Sequence, residues 1–257
     1  MSQEIWYVRN CSLFQRLDEA TLRRLEQHAL IRQYAKNAPI YMPTDASDGA
    51  FLLAAGRVRI CSITPDGKQA ILALINPGEL FGELAVIHPG RREEQAEAAV
   101  NSTVVWLAGD VLRGLMEHST DVSLGITKLI GLRRQRIERR LRNLLFRSNH
   151  DRLGHLLLEL VEQYGRETDE GIKLDVKLSH QELSAIIGVT RETVTHVLGE
   201  MQKSGVVRVS RQSIVILDLK GLAAEMKTVA PFCPTPKRAV AASVDLMPLK
   251  AQGGATN

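Results

Sequence analysis

His180-Gln-Glu-Leu-Ser-Ala-Ile-Ile-Gly-Val-Thr-Arg-Glu-Thr-Val-Thr-His-Val-Leu198 reads as two short helices joined by a tight turn. Leu183, Ile186, Ile187, Val194 and Val197 fall at the spacings that close a helix-turn-helix core. Gly188 stands where the turn needs a positive φ, which glycine adopts without steric cost. Val189 is placed to plug the angle between the helices, and Thr190 to cap the second one. That helix opens Arg191-Glu192-Thr193 and keeps its polar groups on the face that Val194 and Val197 leave free. Many helical hairpins bind nothing, but turn glycine, plug and polar opening together point to a helix that lies in a DNA major groove.

The residue types suggest how such a helix would read bases. Arg191 can donate two parallel bonds to guanine O6 and N7, and Glu192 can accept from a cytosine amino group. His196, a little over one turn on, offers a single donor when neutral. His180, Gln181, Thr190 and Thr193 are expected at phosphates, near helix N-termini whose backbone amides favour anions. Downstream, Val206-Val207-Arg208-Val209 and Ile214-Val215-Ile216-Leu217 flank a polar turn. They predict a wing with Arg211 and Gln212 at its tip and Arg211 on a phosphate.

Upstream, Ser148-Asn149-His150-Asp151 predicts a break and a cap for a helix from Arg152 to Tyr164, closed by Gly165. Before the break, residues 119–147 read as one long helix. Ile126, Ile130, Ile137, Leu141 and Leu144 form a stripe at three-, four- and seven-residue steps, the pattern of a two-stranded dimer seam. Arg133 interrupts the stripe, and the neighbouring arginines read as a solvated flank of that seam. From about 38 to 108 the pattern is short strands and Gly/Pro turns, with Pro65-Asp66-Gly67 and Asn76-Pro77-Gly78 as hairpin signals, so a small barrel or roll is expected. Residues 11–35 read as helical from Leu13, Leu17, Leu22, Leu25 and Leu30, with Asp18 as N-cap.

The expected fold is therefore α+β: an N-terminal double-stranded β-roll over 1–118, a dimerisation helix over 119–147 and a winged helix-turn-helix over 148–229. Residues 230–257 are Pro-, Ala- and Gly-rich without periodicity and read as a disordered tail. A net charge of +4 and a pI near 9.0 permit a polyanionic partner. Cys11, Cys61 and Cys233 show no paired spacing, so neither a zinc site nor a disulfide framework is expected. No signal peptide or membrane-length apolar run is read, which gives a cytoplasmic expectation with no membrane partner. No nucleophile–base constellation, phosphate loop or metal cluster supports an enzyme.

This order of parts resembles the Crp–Fnr superfamily of bacterial transcription regulators across roughly residues 8–222. The motifs that carry the resemblance are Leu13-Phe14…Leu17, Gly56-Arg57-Val58, Pro77-Gly78-Glu79-Leu80-Phe81-Gly82-Glu83-Leu84, and Gln181-Glu182-Leu183…Gly188-Val189-Thr190-Arg191-Glu192-Thr193-Val194. The resemblance implies a homodimeric, sequence-specific regulator acting on two-fold symmetric operators, with double-stranded DNA and RNA polymerase as partners. It also implies an effector pocket at Gly82, Glu83, Leu84, Arg92, Glu93, Glu94, Ile137 and Glu138.

In cyclic-nucleotide-binding members, the residue matching Glu83 holds the ribose hydroxyl and an Arg followed by Ser or Thr clamps the phosphate. Here the clamp positions are Glu93 and Glu94, which repel a phosphate, so cyclic AMP is not expected. A one-residue loop shift would bring Arg92 into the clamp without its hydroxyl partner. The positions that meet the purine are Ile137 and Glu138 rather than small hydroxyl residues, and Gly82 and Glu83 take on a structural reading. An iron–sulfur cluster needs more cysteines than Cys11. Haem would need a pair of axial ligands, for which His28, His88 and His118 are the candidates; neither cofactor is expected. The effector stays unidentified. The competing reading is a ligand-binding signalling module without functional DNA binding, against which stands the intact Arg191-Glu192-Thr193 opening.

Overall fold

The computed structural model describes residues 8, 11, 13–88, 90–211 and 213–233. The described residues fall into two compact units, one within Met1–Leu156 and Leu178–Glu200 and the other within Leu157–Lys177 and Met201–Asn257.

The first unit begins with a helix that Asp18 starts, its carboxylate accepting from the Thr21 N–H at 2.9 Å. This helix, α1 (Glu19–Gln27), buries Leu22 and Leu25. The helix expected over 11–35 is thus only nine residues long. Residues Ala29–Tyr34 form strand β1 instead, paired antiparallel with Ser102–Ala108 from Ala29 opposite Leu107 to Tyr34 opposite Ser102. A long-range ladder overrides the local leucine spacing, and Leu30, read as part of a helix, lies on a strand and is half exposed.

The strands that follow are β2 (Pro39–Tyr41), β3 (Gly49–Ala55), β4 (Val58–Ile63), β5 (Gln69–Ile75), β6 (Leu80–Phe81), β7 (Gln95–Ala98) and β8 (Ser102–Ala108), with the short helix α2 (Leu84–Ile87) between β6 and β7. They build two four-stranded antiparallel sheets, ordered β1-β8-β3-β6 and β2-β7-β4-β5. The first predicted hairpin forms between β4 and β5, where Gly67, at φ +81°, donates to Thr64 O at 2.8 Å. Asn76-Pro77-Gly78 also turns the chain, with Gly78 at φ +86° and the Glu79 N–H donating to Asn76 O at 3.0 Å, but it leads from β5 into β6 of the other sheet and closes no hairpin. One apolar cluster, including Tyr41, Phe51, Leu53, Val58, Ile60 and Phe81, fills the roll. A second joins α1 and the β1–β8–β3 sheet to the two helices that follow, α3 (Gly109–His118) and α4 (Thr120–Phe146).

Helix α4 matches the long helix read over 119–147, with Ser119 as its cap. Its stripe divides. Ile126 is fully buried in the cluster with Leu112 and Val122, and Ile130 packs against the same cluster. Ile126 therefore cannot serve a dimer seam, because its own chain already covers it. Ile137, Leu141 and Leu144 remain open, at 45, 53 and 38 % exposure. Ser148 then accepts from the Asp151 N–H at 3.1 Å and starts α5 (Asn149–Tyr164), one turn earlier than expected. The same unit holds α6 (His180–Ile187) and the start of α7 (Arg191–Lys203).

The second unit carries a four-stranded sheet, ordered Val207–Ser210, Ser213–Ile216, Gly171–Leu174 and Gly165–Thr168, and helix α8 (Leu219–Glu225). The hairpin β11 (Val207–Ser210) and β12 (Ser213–Ile216) is the predicted wing. The hairpin β9 (Gly165–Thr168) and β10 (Gly171–Leu174) was not anticipated: the helix ends at Tyr164 as expected, but Gly165 opens a strand there without a positive φ. The expected tail lies, from residue 234 on, outside the described residues. Among the described residues no helix is long and apolar enough to cross a membrane.

Candidate DNA interface and effector pocket

Ser179 and Glu182 form a capping box at the start of α6. Ser179 Oγ accepts from the Glu182 N–H at 3.2 Å, and Glu182 Oε2 accepts from the Ser179 N–H at 2.8 Å. The helix ends at Gly188, whose φ of +68° and N–H bond to Ser184 O at 2.9 Å make the expected left-handed turn. Thr190 Oγ1 accepts from the Thr193 N–H at 3.2 Å and so caps α7. Leu183, Ile186, Ile187, Val194 and Val197 are all buried, as their spacing required.

Burying that stripe leaves Arg191, Glu192 and His196 exposed on α7. The backbone N–H of Glu192 itself and the Thr190 hydroxyl hold the Glu192 carboxyl below its usual range, which keeps it an ionised acceptor. His196 Nε2 lies 3.3 Å from Glu200 Oε1 one turn along, so a base would compete with that carboxylate. Gln181 and Thr190 are exposed, while His180 and Thr193 are half-buried. Thr195 was missed: its hydroxyl donates to Arg191 O at 3.0 Å and lies 2.8 Å from His180 Nδ1, tying the first turn of α6 to α7. The one available signal was its place four residues after Arg191. Arg211 stands exposed at the β11–β12 turn of the second unit, and Gln212 lies outside the described residues.

In the roll the expected pocket only partly assembles. Gly82 has φ +65°, and a Cβ there would meet Arg92 Nη1 at 2.7 Å. Arg92 is buried, donates to Gly82 O at 2.9 Å and to Gly49 O, and stacks its guanidinium 4.5 Å from the Tyr41 ring centre. It is thus spent on the fold and is not free to clamp a ligand. Glu83 is buried against Arg133 of α4, whose Nη1 donates to Glu83 Oε2 at 2.6 Å while Nη2 donates to Leu80 O. Tyr41 donates to Glu94 Oε1 at 2.8 Å. Burial pushes the Glu94 carboxyl up, with nearby Glu83 adding to the shift and Tyr41 and Arg133 opposing it. Burial and then Glu94 push the Tyr41 hydroxyl up as well.

Gly82, Glu83, Arg92 and Glu94 therefore gather around Tyr41, and Arg133 joins them. Leu84 and Glu93 point to solvent, Ile137 is open, and Glu138 pairs with Arg134 at 2.8 Å on the outside of α4. Arg133 is not part of a solvated flank but the counter-charge of Glu83. Arg140 also leaves that flank, donating to Leu72 O at 2.8 Å. Of the candidate haem ligands, His28 Nδ1 lies 2.9 Å from Arg24 O and His118 Nδ1 lies 2.7 Å from Gly114 O, bonds that involve only one nitrogen of each ring. Cys61 is buried, and burial pushes its thiol up to about 12, as suits a small apolar side chain.

Comparison with known proteins finds a family for each of the two parts of the chain. Residues 31–119 match the cyclic nucleotide-binding domain family, and residues 151–225 match the Crp-like helix-turn-helix domain family. The transcriptional regulator SdrP of Thermus thermophilus is 34 % identical over 68 % of this chain and 82 % of its own length. A CRP-like cAMP-activated global transcriptional regulator of Mycobacterium tuberculosis is 24 % identical over 82 % of this chain and 94 % of its own. The structure of a CooA mutant from Carboxydothermus hydrogenoformans superposes with a TM-score of 0.72 at 22 % identity, covering 88 % of this chain and 97 % of that one. With an effector-type roll, a long helix and a helix-turn-helix in that order, and a regulator at this level of identity, the chain belongs to the Crp–Fnr family of DNA-binding transcription regulators.

Proposed function

We propose that this regulator acts as a homodimer on two-fold symmetric DNA in the cytoplasm, meets RNA polymerase there, and takes no cyclic nucleotide. The observation that carries the DNA reading is the free face of α7: Arg191, Glu192 and His196 are exposed on a helix whose opposite stripe is buried. Arg191 and Glu192 read base edges with help from His196, while His180, Gln181, Thr190, Thr193 and Arg211 hold phosphates. The working parts are a sensing roll over 1–118, a dimer helix over 119–147 and a DNA-binding part over 148–229; the family matches at 31–119 and 151–225 support that division.

The effector reading rests on Arg133. In cyclic-nucleotide binders the carboxylate matching Glu83 faces the sugar, but here it is occupied by a guanidinium of the same chain. A cyclic phosphate would also meet Glu94 and no free arginine clamp. Calorimetry with millimolar cyclic AMP should show no saturable heat. The dimer reading rests on the open Ile137, Leu141 and Leu144. Selection of bound DNA from random sequence without ligand tests the whole, and should enrich a palindrome with half-site centres about 34 Å apart. Enrichment of nothing would favour a ligand-responsive module without DNA binding, and protection of one asymmetric half-site would remove the dimer.

A further inference from the structure

Arg59 lies on β4 between Val58 and Ile60, which point into the apolar filling of the roll, so alternation sends Arg59 to the outer face. It stands opposite Glu97 of β7 and is ion-paired with it. Arg59 Nη2 also donates to Asn37 Oδ1 at 3.2 Å, and Gln95 Nε2 donates to Glu97 Oε2 at 3.2 Å. Polar side chains on the outer face of a roll are ordinarily wet. Here the Arg59 and Glu97 side chains are only 15 % and 11 % exposed. The helix-turn-helix reaches them: Arg59 Nη1 donates to Glu182 Oε1 of α6 at 3.3 Å. Glu182 divides its two oxygens, Oε2 closing the capping box with Ser179 and Oε1 meeting the roll. The turn of the motif is seated too, since a Cβ on Gly188 would lie 3.0 Å from Leu144 Cδ2 of α4.

We propose that Arg59, shared between Glu97 and Glu182, is an autoinhibitory latch that holds the first helix of the helix-turn-helix against the roll. The inference rests on the DNA reading above, in which His180 and Gln181, beside Glu182, approach phosphates. The first turn of α6 cannot lie against the roll and against a DNA backbone together, because the roll then covers the start of the helix that His180 and Gln181 would bring to the phosphates. Releasing Glu182 from Arg59 keeps the capping box and frees the motif. Only one of the two carboxylates leaves, so Arg59 keeps its roll partner.

Glu182→Gln separates these roles, since glutamine serves at the third position of a capping box but carries no charge. Hydrogen exchange on the full chain without DNA should show several-fold faster exchange of the amides in 179–187, with those of β4 unchanged. Arg59→Gln should reproduce the faster exchange in α6. Fluorescence anisotropy with a mixed-sequence duplex about three helical turns long should show several-fold tighter binding by Glu182→Gln. Unchanged exchange in α6 for both variants overturns the latch, whatever DNA does. Faster exchange with unchanged duplex affinity overturns its inhibitory role. Faster exchange with no duplex bound by parent or variant overturns the DNA reading and the inhibition together.

Discussion

Arg191 offers two parallel donors at the exposed start of α7, and nothing among its described contacts uses them. Arg191→Ala should cost about 1–3 kcal/mol of operator binding and relax one G·C pair per half-site. Competition with single-base operator variants reads this, and uniform loss across all of them would make Arg191 a phosphate contact. Glu94 works in the opposite sense, as a carboxylate the fold would rather keep protonated. Burial lifts its folded pKa above the ordinary carboxylate value of 4.5, so the folded chain holds a proton the unfolded chain has released, and stability falls as pH climbs through that window. Glu94→Gln keeps an acceptor for the Tyr41 hydroxyl and removes the charge. Its Tm should exceed the parent's at pH 7 by roughly a few degrees, with the gap closing as pH drops below the usual carboxylate range. A gap of equal size at both ends, by calorimetry, would mean burial of Glu94 is not the cause.

Between elements, the contact with most consequence is that of α4 with the roll through Arg133. Arg133→Ala would leave Glu83 buried without its counter-charge, at a cost of about 3–5 kcal/mol in unfolding stability. Adding Glu83→Gln should recover much of that loss. A double variant as unstable as the single one would make the pair incidental. The same contact shows what could be read in advance. The caps at Asp18 and Ser148, the turns at Gly67, Gly78 and Gly188, and the extent of α4 are decided by residues a few positions apart, and these were legible. Strand β1, the burial of Ile126 and the role of Arg133 are decided by partners far along the chain. Arg133 and Glu83 lie 50 residues apart, and no local pattern announces their meeting. The arginine that broke the apolar stripe was the visible trace of it.

For the molecule as a whole, the open part of the α4 stripe is what a second copy would cover. Ile137→Asp places a charge in that stripe at a position already 45 % exposed in the single chain, so folding should survive and dimerisation should not. Light scattering should then report monomers, with operator affinity falling because one recognition helix must bind alone. A variant that stays dimeric would move the seam elsewhere. Arg59 adds a consequence in time. Its roll partner Glu97 lies 38 residues further along the chain, and its helix-turn-helix partner Glu182 lies 123 residues further. At a synthesis rate of about 5–20 residues per second, Glu182 leaves the ribosome roughly several seconds after Glu97. The nascent roll therefore closes around an arginine that already has a carboxylate, and α6 arrives later at a finished docking place.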